Sequence, residues 1–472
     1  MKEKIRSIVV DADIYPRHQK SEKTITTYKD AIEAGAQFPP IEVQKVIEDG
    51  KEFIALLDGL HRLEAHKASG EKEIPVVYWK AEAIDKAENI NELRLRAATL
   101  NIQHGDRLSK DDRKEVARTI ANNDKDVKIT EERMANELGV TQQTINNWIK
   151  DIRAKQRAGR NNIIWRLRLL GFSGDVISDI LDNQVSKSQV YEISDNTNFS
   201  KIGQSINEYI EKGDSIEELA GKLYIDHTLA WAIHLNGKPD DERLSKLQIE
   251  PKRFTAWNFT GCSPLMGKSD FNGRIPGEFP LNFMYWFTKQ DDLVVDPMAG
   301  GGITLDAALL MQRKCRSFDI SPSREEIEKH DITQGYPELK KKPNAVFCDP
   351  PYWSAVDYGG GLSSYPLEEY YEAMKKFIHD TYDVLQAGGT FGLIMANQST
   401  RIAIKEGRLT DKYGHRLEHI LTMYNYCIDA GFKPHWRINC PLSNHNAQDW
   451  ARGEWELGRL GELNRELLVF KK

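Results

Sequence analysis

The rhythm of apolar and polar positions changes three times along the 472 residues. From about Ile5 to Trp79, short β-rich runs (SIVV, PPIEVQKVI, EFIALLD, EIPVVYW) are broken by helical stretches after Glu22 and after Asp58, which predicts an α+β domain over 1–84. Between 85 and 195 apolar residues recur at helical spacing and predict an all-α domain. Its clearest piece is ITEERMANELGVTQQTINNWIKDI, residues 129–152. There Met134, Ala135, Leu138, Val140, Ile145, Trp148 and Ile149 form one apolar face. Thr130 is placed to cap the first helix, and Gly139 supplies the turn before a second helix over Thr141–Lys150. A weaker repeat of the pattern runs through 165–193. Residues 196–253 carry dense charge (YIEKGDSIEELAGK, NGKPDDERLSK) and read as a connecting region. From Phe254 onward strands and helices alternate, the pattern of a parallel sheet covered by helices over 254–472.

Composition narrows the setting. Forty per cent hydrophobic residues is ordinary for a core-forming chain. There is no unbroken apolar run of membrane-spanning length, and MKEKIRSIVVDADIY lacks the long apolar region of a secretory signal. Five scattered cysteines without a CxxC pair disfavour structural zinc and a disulfide framework, so a reducing cytosol is expected and no membrane or metal. A net charge of −6 makes no global case for nucleic acid. A local case exists. Lys150, Arg153, Lys155, Arg157, Arg160, Arg166 and Arg168 stand against the single acid Asp151, directly behind the second helix of the pair. That helix offers Gln142, Gln143, Asn146 and Asn147, polar groups able to pair with base edges, and phosphate contacts normally flank base readers. Gln142, Gln143, Asn146, Asn147, Lys150 and Arg153 are therefore the expected contacts to double-stranded DNA, with room for a homodimer.

Two stretches in the last block carry chemistry. LVVDPMAGGG, 293–302, is an apolar strand, an acid and three glycines opening the helix ITLDAALLMQ. Glycines let backbone approach a ligand closely, and the exposed N–H groups of a helix end favour an anion. The next strand, KCRSFDIS, ends at Asp319, 23 residues beyond Asp296, a spacing that suits an acid gripping ribose hydroxyls one strand over. An NAD site would fit these two features, but it calls for GxGxxG and gives no role to the second stretch, CDPPYWSAVDY at 348–358. There two prolines end the strand Ala345-Val346-Phe347 and stiffen the turn that presents Asp349 and Tyr352.

Together these residues resemble the amino-methyltransferases, S-adenosylmethionine enzymes that methylate exocyclic base nitrogens, over about 254–472. The resemblance implies a Rossmann-like domain. DPMAGGG (Asp296, Pro297, Ala299, Gly300, Gly302) becomes the cofactor loop, Asp319 the ribose acid and Asp331 the adenine-contacting acid. RIPGEFPLNFMYWF, 274–287, resembles the segment that packs on the methionine end, with Phe279 and Pro280 in it, and the tail from Pro441 resembles the closing segment of DNA methylases. Asp349, Pro350, Pro351 and Tyr352 become the catalytic turn. Near the amino terminus, LLDGLHRLEAHKASG resembles the box of the ParB/sulfiredoxin superfamily over roughly the first hundred residues. Leu60 stands where sulfiredoxin carries its reactive cysteine, which excludes peroxiredoxin repair. ParB relatives bind CTP with this box, which makes Asp58, Gly59, His61 and Arg62 nucleotide contacts by implication, against a plain DNA-positioning scaffold. ParB-like proteins carry a helix-turn-helix after this domain, so order and content agree.

The chemistry follows from the turn. An adenine N6 lone pair is delocalised into the ring and attacks poorly. Asp349 and the Pro350 carbonyl can each accept an N–H, which favours a pyramidal nitrogen, and the carboxylate stabilises the positive charge that develops. Tyr352 can stack on a base swung out of the duplex. Trp353 has an assisting role or a core role, and Cys348 and Cys440 read as core thiols. The sequence therefore reads as a cytosolic, DNA-associated adenine methylase of prokaryotic or phage setting, with restriction-modification as one role. Cytosine N4, RNA guanine N2, protein glutamine and a non-catalytic ParB-type DNA binder are the alternatives. A fragment lacking residues 1–195 is expected to keep cofactor binding, and segment 401–440 is the alternative base reader.

Overall fold

The computed structural model describes residues 1–472 except 17–19, 104–107, 125–127, 260, 354–359, 401–402, 405–406, 408, 410–415 and 442–464. The chain forms two compact units, Met1–Arg157 and Ala158–Lys472. The expected divisions at 84, 195 and 253 do not coincide with that boundary.

In the first unit the strands β1 (Lys2–Lys4), β2 (Ile8–Val9), β3 (Ile41–Glu48), β4 (Lys51–Asp58), β5 (Glu73–Tyr78) and β6 (Ile84–Asp85) make one sheet, with helices α1 (Glu22–Glu33) and α2 (Leu60–Ala68). The sheet order is β1-β5-β3-β4-β2, with β6 beside β3. Asp49 and Gly50, both at positive φ, close the β3–β4 hairpin, the backbone a two-residue turn between right-twisted strands demands. Ile41, Val43, Leu56, Leu63 and Val76 fill the core under the sheet. Helices α3 (Lys86–Gln103), α4 (Lys110–Asn123), α5 (Glu131–Leu138) and the start of α6 (Gln142–Leu169) form a second core of Leu95, Val116, Ile120, Met134, Leu138, Ile145 and Trp148. Thr130 caps α5 by accepting the Arg133 N–H at 3.2 Å, and Gly139 ends it. The second helix of the pair does not stop at Lys150. It continues to Leu169, because Ile152, Ile164 and Leu167 keep supplying buried positions and the only break residue, Gly159, is tolerated in a helix interior.

In the second unit the last turns of α6 and six further helices, α7 (Gly174–Ile180), α8 (Lys187–Ile193), α9 (Asn196–Glu211), α10 (Ile216–Leu223), α11 (His227–His234) and α12 (Asp240–Lys246), pack with the catalytic block. Ile164, Leu167, Leu170, Phe172 and Ile177 share one core with Leu305, Leu309 and Cys315, and the Cys315 N–H donates to the Leu170 carbonyl at 3.0 Å. The charged stretch 196–253 is thus structural rather than connecting. Its Arg243 is fully buried and donates to the Leu310 carbonyl at 2.7 Å, satisfying an orphan group at a helix end. Asp240 holds the buried Arg313 through two 2.7 Å bonds.

The remaining elements are α13 (Glu278–Phe287), β7 (Leu293–Asp296), α14 (Ile303–Leu310), β8 (Lys314–Asp319), β9 (Glu328–Lys329), β10 (Ala345–Cys348), α15 (Leu367–Val384), β11 (Thr390–Ala396), β12 (Gln398–Ser399), β13 (Arg416–Leu417), α16 (His419–Asp429), β14 (Lys433–Asn439) and β15 (Arg465–Lys471). Seven of these strands form a sheet in the order β14-β15-β11-β10-β7-β8-β9. β7, β8, β10 and β11 run parallel, and β15 is antiparallel to β11. From β7 the chain moves outward to β8 and β9, then crosses back to place β10 on the other side of β7. The strand order therefore reverses between β7 and β10, and open α/β sheets leave a crevice at the carboxyl ends there. Within the alternative reader segment 401–440, residues 401–402, 405–406, 408 and 410–415 lie outside the described residues, as does the closing segment over 442–464. Among those that are described, no helix is long and apolar enough to cross a membrane.

This packing changes where a functional fragment can begin. A fragment starting at residue 196 lacks Ile164, Leu167, Leu170 and Phe172, all buried in the second unit. It is expected to melt without a cooperative transition by circular dichroism, whereas one starting at Ala158 should melt cooperatively. In the full chain, Leu167→Ala should cost about 2–5 kcal/mol in denaturant unfolding.

Candidate active site

The turn after β7 is built from the strand end upward. Asp296 is buried, accepts the Met298 N–H at 3.1 Å and is bonded by Thr304. The Ala299 N–H reaches the Phe318 carbonyl at 2.9 Å, which ties the turn to β8. Gly300 sits at φ +50°, and a Cβ there would lie 2.8 Å from the Phe271 ring, so only glycine lets Phe271 close over the turn. Asp319, at the end of β8, accepts the Gly300 N–H on one carboxylate oxygen and the Ser321 N–H on the other, both at 2.9 Å. Each oxygen keeps a lone pair, an arrangement suited to two adjacent hydroxyls. Asp331 accepts from the Thr333 N–H and hydroxyl at 3.0 and 2.7 Å.

The turn after β10 stands on the other side of the reversal. Tyr352 donates its hydroxyl to Asp349 at 2.5 Å. The Tyr370 hydroxyl, from α15, donates to the Pro351 carbonyl at 2.9 Å and fixes the two-proline backbone from below. Trp353 lies in the core with its indole N–H on the Tyr365 carbonyl at 2.8 Å, which settles its role as packing. Cys348 and Cys440 are buried thiols.

Asp296, Pro297, Ala299, Gly300, Asp319, Asp331, Asp349, Pro350, Pro351 and Tyr352 line one cavity of about 630 Å³. Gly302 does not line it. It is the left-handed residue that starts α14, backed by Arg324. Phe279 and Pro280 do not line it either. They are core residues of α13, and from the stretch before it Phe271, Arg274 and Ile275 line the cavity instead. Phe271 and Arg274 sit in the glycine-bearing stretch FNGRIPG, an aromatic and a cation beside turn residues, which is the signal that could have found them.

Arg465 also lines the cavity. It opens β15, is only 7% exposed and holds its guanidinium 5.5 Å from the Phe279 ring. A lone arginine heading an apolar strand gave no sequence signal, since its place depends on β15 pairing with β11. The electrostatics of the site follow from burial. Desolvation pushes the Asp349 carboxyl up to about 6, against the pull of the Tyr352 hydroxyl and of Arg465. Burial, reinforced by Asp319 and Asp349, pushes Asp296 up to about 7, against its bonds from Thr304 and Met298.

The expected amino-terminal contacts are placed otherwise. Gly59, at φ +99°, joins β4 to α2 and puts His61 and Arg62 in the first helical turn. Arg62 pairs with Asp58 at 2.6 Å and donates to the Pro39 and Pro40 carbonyls at 2.8 and 2.9 Å, and His61 accepts the Ser21 N–H at 3.0 Å. On α6, Gln142, Gln143, Asn147 and Lys150 are exposed and Asn146 is half-buried. Arg153 turns inward to the Asp124 carbonyl at 3.2 Å and to Gln156 at 2.9 Å. Arg166, counted in the basic cluster, is 4% exposed and does not face solvent.

Comparison with known proteins adds a family and several solved structures. No curated protein matches the chain significantly. The crystal structure of TrmN from Thermus thermophilus is similar at 14% identity and a TM-score of 0.26, over 43% of this chain, which spans half of the TrmN chain. ParB from Caulobacter crescentus, complexed to the centromeric parS site, is similar at 16% identity and a TM-score of 0.23, over 48% of this chain and 98% of that one. The N-methyltransferase NodS from Bradyrhizobium japonicum, in complex with S-adenosyl-L-homocysteine, is similar at 11% identity and a TM-score of 0.27, over 42% of this chain and 85% of that one. The model of the DNA methylase family matches residues 111–330, a span that takes in the glycine turn and Asp319 and ends before Asp349, and this match supports a DNA methylase domain in the chain.

Proposed function

We propose that the chain is an S-adenosylmethionine-dependent DNA methyltransferase acting on adenine N6, directed to its sites by a ParB-like and helix-turn-helix amino-terminal region. The observation that carries this reading is the shared cavity. A glycine turn with a hydroxyl-gripping acid opens onto it from β7 and β8, and a carboxylate with an aromatic opens onto it from β10. The match to the DNA methylase family supports the same reading.

The residues fit the cofactor. Asp319 retains acceptor capacity for a ribose, Asp331 faces the same space, and the glycine backbone forms the wall without side chains. Bound S-adenosylmethionine supplies an electrophilic methyl group. Asp349 and the Pro350 carbonyl hold the amine by its N–H groups and turn its lone pair towards that group. The Tyr352 hydroxyl donates to one Asp349 oxygen, so an incoming base exchanges for it and leaves the ring free to stack. The ionised Asp349 then stabilises the positive charge developing on nitrogen, and its partial burial strengthens that interaction. Gln142, Gln143, Asn146, Asn147 and Lys150 remain the proposed base and phosphate contacts; Arg153 turns inward and leaves that set, and Arg166 of the basic cluster is buried. A nucleotide at Asp58–Arg62 would have to displace the internal partners of Arg62 and is not included.

Asp349→Ala should lower methylation by about 10²–10³-fold, with binding of S-adenosylhomocysteine retained by calorimetry. Mass spectrometry of digested product DNA should show N6-methyladenine; N4-methylcytosine alone would reassign the base. Asp349 acts as the anion and its carboxyl lies at about 6, so single-turnover methylation should fall as pH drops through that value. A fragment beginning at Ala158 should methylate with relaxed sequence preference and a shallower salt dependence of DNA affinity. Identical motifs and rates for fragment and full chain would remove the amino-terminal region as reader.

A further inference from the structure

Beneath the glycine turn, away from the cavity, lies a cluster of two arginines and three carboxylates, with Arg166, Asp306 and Glu326 buried and Asp226 more exposed at its edge. Arg166, from the end of α6, uses each nitrogen of its fork on a different acid. Nε donates to Glu326 at 2.6 Å, Nη1 to Asp226 at 2.8 Å and Nη2 to Asp306. Asp306 belongs to the first turn of α14, directly after the glycines. Its carboxylate also accepts the Gly267 N–H at 2.7 Å and both Nη groups of Arg324 at 2.8 and 3.2 Å. Arg324 in turn donates to Glu326 at 2.9 Å. Arg166, Asp306 and Glu326 each have side chains 5% exposed. Burial alone would raise Glu326, but Arg166 and Arg324 overcome it and hold the carboxyl down at about 2.

Each partner leads to a different wall of the cavity. Asp306 carries the glycine turn. Gly267 begins the strap whose Lys268 N–H meets the Gly301 carbonyl at 2.9 Å and whose Phe271 covers Gly300. Arg324 ends the loop after Asp319, in which the Ser323 hydroxyl donates to the Gly300 carbonyl at 2.7 Å. Three loops thus converge on one carboxylate, and Arg166 fixes that carboxylate to a long helix. A cofactor site must be held to a fraction of an ångström by groups that never touch the ligand.

We propose that Arg166 is a positioning residue for the cofactor cavity, acting through Asp306 on the glycine turn, the Gly267–Ile275 strap and the Ser321–Arg324 loop. The proposal rests on reading that cavity as the S-adenosylmethionine site. Lysine cannot replace the fork, because one ammonium on a flexible stem cannot reach three carboxylates held at fixed angles.

The test uses the full chain and two variants, Arg166→Lys and Glu326→Gln. Calorimetry with S-adenosylhomocysteine on the unaltered protein comes first. Absence of binding there refutes the cofactor reading and the proposal with it. Where binding is seen, Arg166→Lys is expected to weaken it by about ten- to a hundredfold. The KM for S-adenosylmethionine should rise in step, while kcat at saturating cofactor and the Kd for DNA stay within about twofold, a split that general loss of stability does not produce. Amide exchange in 298–303 should accelerate in the variant more than exchange in β10 and β11. If Arg166→Lys does not fold, Glu326→Gln carries the test, with a smaller loss of affinity in the same direction. Unchanged affinity and unchanged exchange at the glycine turn in a folded variant overturn the proposal.

Discussion

Two parallel neighbours, β7 and β10, end side by side and send the chain in opposite directions, and the rest of the candidate site depends on that constraint. A connection that leaves towards β8 and another that leaves towards α15 cannot both cover the strand ends, so a crevice is left between them. Asp296 and Asp349 stand at those two ends. The glycine turn and the two-proline turn are two solutions to the same problem, moving the backbone out of the crevice while aiming polar groups into it. Phe271 over Gly300 and Tyr370 under Pro351 then fix each turn from outside the cavity.

Four carboxylates in this unit, three of them buried and Asp349 half-buried, divide by their partners. Asp306 and Glu326 are held below the ordinary range because Arg166 and Arg324 outweigh desolvation. Asp296 and Asp349 are raised, to about 7 and about 6, because desolvation outweighs the hydrogen bonds they accept and, for Asp349, the pull of Arg465. Burial thus gives opposite results according to the partners that the fold supplies. Paired charges stay charged over the whole working range of pH and hold geometry. A carboxylate raised by desolvation responds strongly to an N–H or a positive charge brought near it, which suits the proposed methylation of an amine.

The family match and the geometry bear on different halves of the site. The matched span, 111–330, covers the turn after β7 and the acid after β8, while Asp349, Tyr352, Tyr370 and Arg465 all lie beyond it. The glycine-turn half of the cavity is thus read from both sources. The other half is read from the β10 turn, whose two prolines and hydrogen-bonded aromatic leave the carboxylate few ways to point.

Taken by itself, the sequence determined those features that depend on neighbours in the chain. Helical and strand periods, the Thr130 cap, the turn at Gly139, the glycine turn at 299–302, Asp319 at the next strand end and the DPPY turn were all legible, because each is a local rule of backbone geometry or capping. Only the tertiary structure decided what each buried face packs against. The apolar positions of 158–193 give the right helices but not their partner, since periodicity says that a face is buried and not by what. The dense charge of 196–253 looked like a solvated linker, because a sequence cannot show that Arg243 and Asp240 turn inward onto α14 and Arg313. Arg166 counted as one more cation in a basic run until the fold placed Asp306, 140 residues away, against its fork. Arg465 reached the cavity only through the pairing of the last strand with β11. Local propensity acts over a few residues, whereas a buried charge is decided by whichever distant group the fold brings to neutralise it.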